Sequence, residues 1–276
     1  MKKNEIEGIV DKLFKNIEWS FNKIFTHFNA DDIQQFRIEI KKLRAFLHLL
    51  DMEAGEGIQL KMTPDMKTFY GYTGIIRNLD LFLKTINKHF ESSTGNGLSS
   101  YINKLEKEIK YWEKNANTHV EVHRNFSMDE EKILVKLPAK LKRRSIKKFV
   151  EYINYELQIL LMRFDDEKLH SIRKLLEDIL YNWKYLQPYT GIFPVGLSHK
   201  EEISSMLDSL LDFKDKCVAN TLLDTYYNDA ESDEEKIVLT NIMQFCKNKK
   251  GDLKQEICSK LELIPVQPII KRAFSL

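Results

Sequence analysis

Along almost the whole chain, apolar residues return with a period near 3.6, and this regularity restricts the fold more than any single motif does. Only 10 glycines and 6 prolines interrupt 276 residues, so helices can run for many turns before a breaker stops them. The expected class is all-α. Thr63 before Pro64 reads as a cap followed by a first-turn proline, and Ser127 with Glu130, Ser198 with Glu201 and Ser232 with Glu235 are spaced as capping boxes. Breaks near MEAGEG, SSTGNG, FSMDEE, LPAKL, FDDEK and PYTGIFPVGLSHK divide the chain into roughly eight to ten helices.

Charge narrows the partners. The 43 Lys and Arg nearly cancel the 41 Asp and Glu, leaving a net charge of +2, so the chain as a whole is not the strongly basic kind that binds nucleic acid through its bulk field. Charge therefore has to be read locally. The densest basic block runs from Lys132 to Lys148, and the acidic counterweight from Asn228 to Glu235 reads as a solvated loop opening a helix. Three cysteines without a CxxC spacing fit reduced thiols in a cytoplasmic protein. The opening MKKNEIEGIVDKLF is too charged for a signal peptide, and no apolar run reaches membrane-spanning length.

One helix carries an unusual stripe. In QQFRIEIKKLRAFLHLL, residues 34–50, Phe36, Ile40, Leu43, Leu47 and Leu50 form an apolar face. At about 100° per residue, Gln34, Arg37, Lys41, Arg44 and His48 fall in one arc roughly 80° wide, with Ile38, Ala45 and Leu49 along its far edge. Cations hemmed by apolar residues need either carboxylate partners or a solvated groove facing an anion. Heads about 5–6 Å apart suit the spacing of phosphates in an extended polyanion, which arginine can grip bidentately and lysine as a point charge.

The chain also resembles itself. Setting Arg37 on Arg173 gives an offset of 136, which places Gln34 on His170 and Lys41 on Glu177. GIIRNLD (74–80) then lies over LDFKDKC (211–217) at an offset of 137. A duplicated helical unit accounts for both matches. The expected organisation is a single domain over 1–276, with repeat 1 at about 1–126, repeat 2 at about 129–262, and an extended tail, 263–276, that is a candidate surface for a protein partner or a second copy.

These residues carry a family resemblance. The segments are Gln34-Gln35-Phe36-Arg37, Lys41-Lys42-Leu43-Arg44 and Gly74-Ile75-Ile76-Arg77-Asn78-Leu79-Asp80, with second copies at His170-Ser171-Ile172-Arg173-Lys174 and Leu211-Asp212-Phe213-Lys214-Asp215. Together they resemble the CHAD domain, the conserved histidine α-helical domain. The resemblance implies two pseudo-symmetric antiparallel four-helix bundles around a basic central cavity, and binding of inorganic polyphosphate rather than catalysis, with association to polyphosphate granules. The sequence departs from the pattern at Gln34, Asn78 and Leu211, and at Glu177, Asp178 and Leu180, where basic residues are expected.

The polyphosphate-binding set expected on these grounds is Arg37, Lys41, Lys42, Arg44, His48 and Arg77 from the first half and His170, Arg173, Lys174 and Lys184 from the second, joined by Lys140, Arg143, Arg144 and Lys147 on the helix after Pro138. Three local expectations accompany it. Glu177 neutralises one of Lys41, Arg37 or Arg173; Arg77 pairs with Asp80 three residues on; and a cavity-facing His170 strengthens binding toward acidic pH. His119 and His123 sit one turn apart without a third ligand, so no metal site is expected, and no nucleotide-binding or hydrolase motif selects a cofactor or a catalytic group. The competing readings are a structural or protein-interaction member whose cavity charges neutralise one another, and a nucleic-acid binder acting through Lys140 to Lys148. The modest net charge makes the last the weakest.

Overall fold

A computed structural model describes residues 1–54, 59–90, 96–123, 126–194, 196–230 and 232–265. These residues form ten α-helices: α1 (Lys3–His27), α2 (Ala30–Asp51), α3 (Pro64–Phe90), α4 (Asn96–His123), α5 (Phe126–Leu134), α6 (Arg143–Leu160), α7 (Asp166–Tyr181), α8 (Trp183–Leu186), α9 (Lys200–Asn228) and α10 (Asp233–Glu262). A short 3₁₀ turn, Gln187–Ile192, follows α8. The class and the number of helices agree with the periodicity, and no helix among the described residues is long and apolar enough to cross a membrane.

Several joints follow the expected chemistry. Thr63 accepts the Met66 N–H at 3.4 Å as α3 opens on Pro64, and Ser232 accepts the Glu235 N–H at 3.1 Å at the start of α10. At α9 the register is one residue later than read: the Glu202 carboxylate accepts the His199 N–H at 3.1 Å, so the helix starts at Lys200. The break expected near FSMDEE falls between the end of α4 at His123 and the start of α5 at Phe126, and the Ser127 side chain lies outside the described ones. Residues 266–276 of the tail also lie outside them, while Ile264 is buried, its Cγ1 3.6 Å from where a Cβ on Gly196 would sit.

One sharp break has neither Gly nor Pro. Phe28 ends α1 at φ 42°, in the left-handed region that costs a bulky residue about 1–2 kcal/mol. Its ring packs on the core, its N–H bonds to the Ile24 carbonyl at 2.8 Å, and Asn29 then caps α2 by accepting the Asp31 N–H. These contacts offset the strain and fold α2 back along α1. The Met1 ammonium donates to the Leu141 carbonyl at 2.8 Å, tying the chain start to the stretch before α6.

The buried apolar residues form two clusters, and each draws on both halves of the sequence. The larger joins α1, α2 and the start of α3 to α5–α7 and the first half of α9. The smaller joins Leu79, Phe82 and Ile86 of α3 and Tyr101 and Leu105 of α4 to Leu223 of α9 and Leu239, Ile242 and Cys246 of α10. Helices that begin 136 or 137 positions apart meet each other: α2 packs on α7, α3 on α9 and α4 on α10. Since α2 also packs on α3, and α7 on α9, four helices converge around the residues considered next.

Candidate functional site

The basic stripe of α2 faces α7. Lys41 Nζ donates to Glu177 Oε1 at 2.7 Å, Arg44 Nη2 donates to Glu177 Oε2 at 2.9 Å, and Arg173 Nη1 also donates to Oε1. One carboxylate thus holds three cations. Glu177 is 2% exposed, Arg173 7% and Lys41 11%, whereas Arg44 keeps 34% of its side chain open. Glu177 was expected to neutralise one of Lys41, Arg37 or Arg173; it takes two of these, plus Arg44, and leaves Arg37 to other partners. Burial alone would raise the Glu177 pKa, but Lys41 and Arg173 hold it below the ordinary carboxylate range.

Among the described residues, Arg37 is held without a carboxylate contact. Its Nη1 donates to the Tyr70 carbonyl at 2.5 Å and to Thr73 Oγ1 at 3.4 Å, and its guanidinium lies 3.9 Å above the Tyr70 ring. Gly74 makes the room: a Cβ there would stand 2.7 Å from Arg37 Nη1. The position that the internal repeat aligns with Gly74 is Leu211, and Arg173, the counterpart of Arg37, is turned along its own helix to Glu177. Arg77 does not pair with Asp80. It reaches across to α9 and straddles both Asp215 oxygens at 3.3 and 3.4 Å, while Asp80 pairs with Lys84.

Lys214 completes the cluster. It lies 3.9 Å from Asp215 and within the field of Arg37, Arg173 and Arg77; burial first, and those guanidiniums with it, lower its pKa to about 8. Burial and the neighbouring Arg77 and Arg173 push the Arg37 guanidinium down as well. Among the described residues Arg37, Lys41, Arg44, Arg77, Arg173 and Lys214 surround just two carboxylates, Glu177 and Asp215. The cluster is therefore cationic in surplus. An anion entering it replaces hydration that burial has already thinned, so its attraction is screened less than at an open surface.

The remaining expected residues divide. His48 joins the cluster's edge, its Nδ1 2.8 Å from Asp178 Oδ2 and its ring edge-on to Phe149 and Tyr152. His170 is also at the edge, with Arg173 Nη2 3.5 Å from its Nδ1. Burial, then Arg173, Lys174 and Lys214, lower its pKa to about 4, so in the unliganded protein it does not supply the expected positive charge at mildly acidic pH. Lys174 is exposed beside them. Lys42 is turned away, bonded at 2.7 Å to Glu39, which also receives Gln35 and Asn16. Lys140 precedes α6 rather than lying on it, Arg143, Arg144 and Lys147 are solvent-exposed near its start, and Lys184 is exposed over the Tyr185 ring. Among the described residues none of these five contacts the cluster.

Reading the sequence for arginine missed Lys214 and Asp215, although the offset of 137 sets Lys214 on Arg77 and was the signal that could have found them. Of the spaced histidines, His119 Nε2 lies 3.3 Å from the Asp65 carbonyl oxygen and the His123 side chain is outside the described ones; no group of three metal-capable side chains occurs among the described residues.

No protein-family model matches the chain, and no curated protein does. Solved structures do share its fold. The CHAD domain from the plant Ricinus communis superimposes with a TM-score of 0.71 at 14% identity, covering 96% of this chain and 93% of that one. PptA from Streptomyces chartreusis superimposes with a TM-score of 0.69 at 12% identity, covering 94% and 98%. The chain has the all-α, CHAD-like fold. Identities this low speak to the fold alone.

Proposed function

We propose that this protein binds inorganic polyphosphate, or a polyanion of similar charge spacing, without catalysing a reaction on it. The observation that carries this reading is the surplus of six clustered cations over two carboxylates where α2, α3, α7 and α9 meet. A buried excess of positive charge costs stability unless an anion or water compensates it, and a phosphate chain offers repeated acceptors to guanidinium and ammonium groups. The CHAD-like fold is consistent with such a ligand, and with a cytoplasmic, granule-associated protein built as a duplicated unit.

A second reading draws on a specific observation. Glu177 receives three cations, Asp215 receives Arg77, and Asp178 receives His48, so part of the charge is already matched internally. On that reading the protein is a structural or protein-interaction member that has lost the ligand. A gel-shift with long polyphosphate at low and moderate salt separates the two. Binding at low salt that weakens steeply as salt rises supports the proposal, because released counterions drive such association. Absence of binding at both salts overturns it. The informative variants are Arg37→Gln and Lys214→Gln, since neither strips a partner from Glu177 as replacing Lys41 or Arg44 does.

A further inference from the structure

A groove of about 360 Å³ opens beside the clamp around Glu177. Arg44, His48 and Asp51 of α2 form one wall and Lys174 and Asp178 of α7 another, while Lys61 and Lys67 come from the segment leading into α3 and from that helix's first turn. Its floor includes Leu47, Leu60 and Met62. The volume lies within the range of small-ligand sites.

The charges in this groove are uneven in a particular way. Two carboxylates face the cations: Asp178 pairs with His48 at 2.8 Å, and Asp51 accepts the Leu60 N–H at 2.8 Å and lies in the field of His48 and Lys61. Lys61, Lys67 and Lys174 are exposed and have no ion-pair partner among the described residues. Arg44 has five donors, of which Nη2 is bonded to Glu177, and it is the most open member of the clamp. Between the groove and Arg37, the side chains of Lys41, Arg173 and Glu177 are nearly closed to solvent. A phosphate chain lying against Arg44 therefore meets packed ion pairs where a continuous passage would have to run.

We propose that this groove is an anion-binding compartment of its own, taking a short run of an oligophosphate through Arg44, Lys61, Lys67 and Lys174, and that the Glu177 clamp walls it off from the compartment around Arg37 and Lys214. The proposal rests on the polyphosphate reading above and adds Lys61 and Lys67 to the binding surface. The exposed lysines and the closed ion pairs beside them suit a chain laid along the groove from outside rather than threaded between the helices.

The test compares the full chain with the triple variant Lys61→Gln/Lys67→Gln/Lys174→Gln, using inorganic tripolyphosphate and long polyphosphate as probes over a range of salt. All three lysines are exposed, so the variant folds with near-parental stability. Tripolyphosphate affinity should fall at least about tenfold, and the slope of log affinity against log salt should become shallower by about 2, from roughly 0.7 per lost phosphate contact. Parental binding of both probes by the variant overturns the groove and leaves the polyphosphate reading intact. No polyphosphate binding by the parent overturns both. Competition by single-stranded DNA at equal phosphate concentration as strong as by tripolyphosphate gives the groove to nucleic acid and overturns it too.

Discussion

Lys41 Nζ stands 2.7 Å from Glu177 Oε1, although the two residues are 136 positions apart and are the pair that the internal alignment sets over one another. The helices that carry them, α2 and α7, begin 136 positions apart and face each other, so residues that the alignment sets over one another can meet. Two lysines there would repel; a lysine and a glutamate attract. Lys41 and Glu177 thus form an ion pair where two residues of one sign would repel, and that pair gathers Arg44 and Arg173 as well.

Removing Glu177 should therefore be costly. Glu177→Ala leaves Lys41 and Arg173 buried without their counter-charge, and breaking a buried pair from one side typically costs about 3–5 kcal/mol. Because the surrounding cations hold the folded pKa below that of an unfolded glutamate, its contribution is present above the ordinary carboxylate range and is lost as pH falls through the folded value. Urea unfolding of the parent and variant at neutral pH measures the loss. A difference below about 1 kcal/mol would mean that water compensates the cations.

Gly74→Ala tests the seat of Arg37. A new Cβ would meet the Arg37 guanidinium at 2.7 Å, and that guanidinium is the end of a flexible side chain that can swing away. The helix gains up to about 1 kcal/mol in propensity from Gly to Ala, which offsets the lost bond to the Tyr70 carbonyl. Stability should stay within about 1 kcal/mol of the parent, while polyphosphate affinity drops as far as it does in Arg37→Gln. Equal affinity of Gly74→Ala and parent would show that the position of Arg37 is irrelevant to binding.

A third prediction concerns the α2–α7 contact itself. Asn182, 1% exposed at the end of α7, donates through Nδ2 to the Ala45 carbonyl of α2 at 2.8 Å and to the Asp178 carbonyl at 3.0 Å. Asn182→Leu removes both bonds from a buried site, at a cost of about 1–3 kcal/mol. Thermal unfolding should register it, and a variant as stable as the parent would show that apolar packing replaces the bonds in full.

How much of this was legible in the sequence depends on the distance over which each feature is decided. Helices are decided locally, so a 3.6 period and caps such as Thr63 and Ser232 expose them. The α1–α2 break was hidden because Phe28, a residue that seldom adopts positive φ, holds that conformation through its tertiary packing. Arg37 and Arg44 could be picked out because they share a face of α2, and Arg173 because the internal offset sets it on Arg37, but their partners could not: Arg77 had a plausible acid three residues away in Asp80 and chose Asp215, 138 positions distant. The exposed basic residues Arg143, Arg144 and Lys147 present the converse case. A face rich in cations looks alike in sequence whether it meets other helices or water, and only the burial of Phe149, Val150 and Ile153 on α6 turns those charges outward.

The pH dependence of binding should be set by Lys214. Facing it are Asp215, Arg77 on α3, Arg37 on α2, and Arg173 and His170 on α7, and the net effect with burial is a pKa lowered to about 8. Below that value Lys214 carries a charge that an anion can use; above it the free protein gives up the proton and must recover it on binding. Affinity for polyphosphate should accordingly be level below about pH 7 with respect to this group and decline as pH rises through 8, by at most about tenfold per pH unit for one proton taken up. Binding titrations between pH 6.5 and about 9.5 in Lys214→Gln should lose that decline and show weaker binding at the acidic end. A decline of equal steepness in parent and variant would assign the linkage to a different group and remove Lys214 from the site.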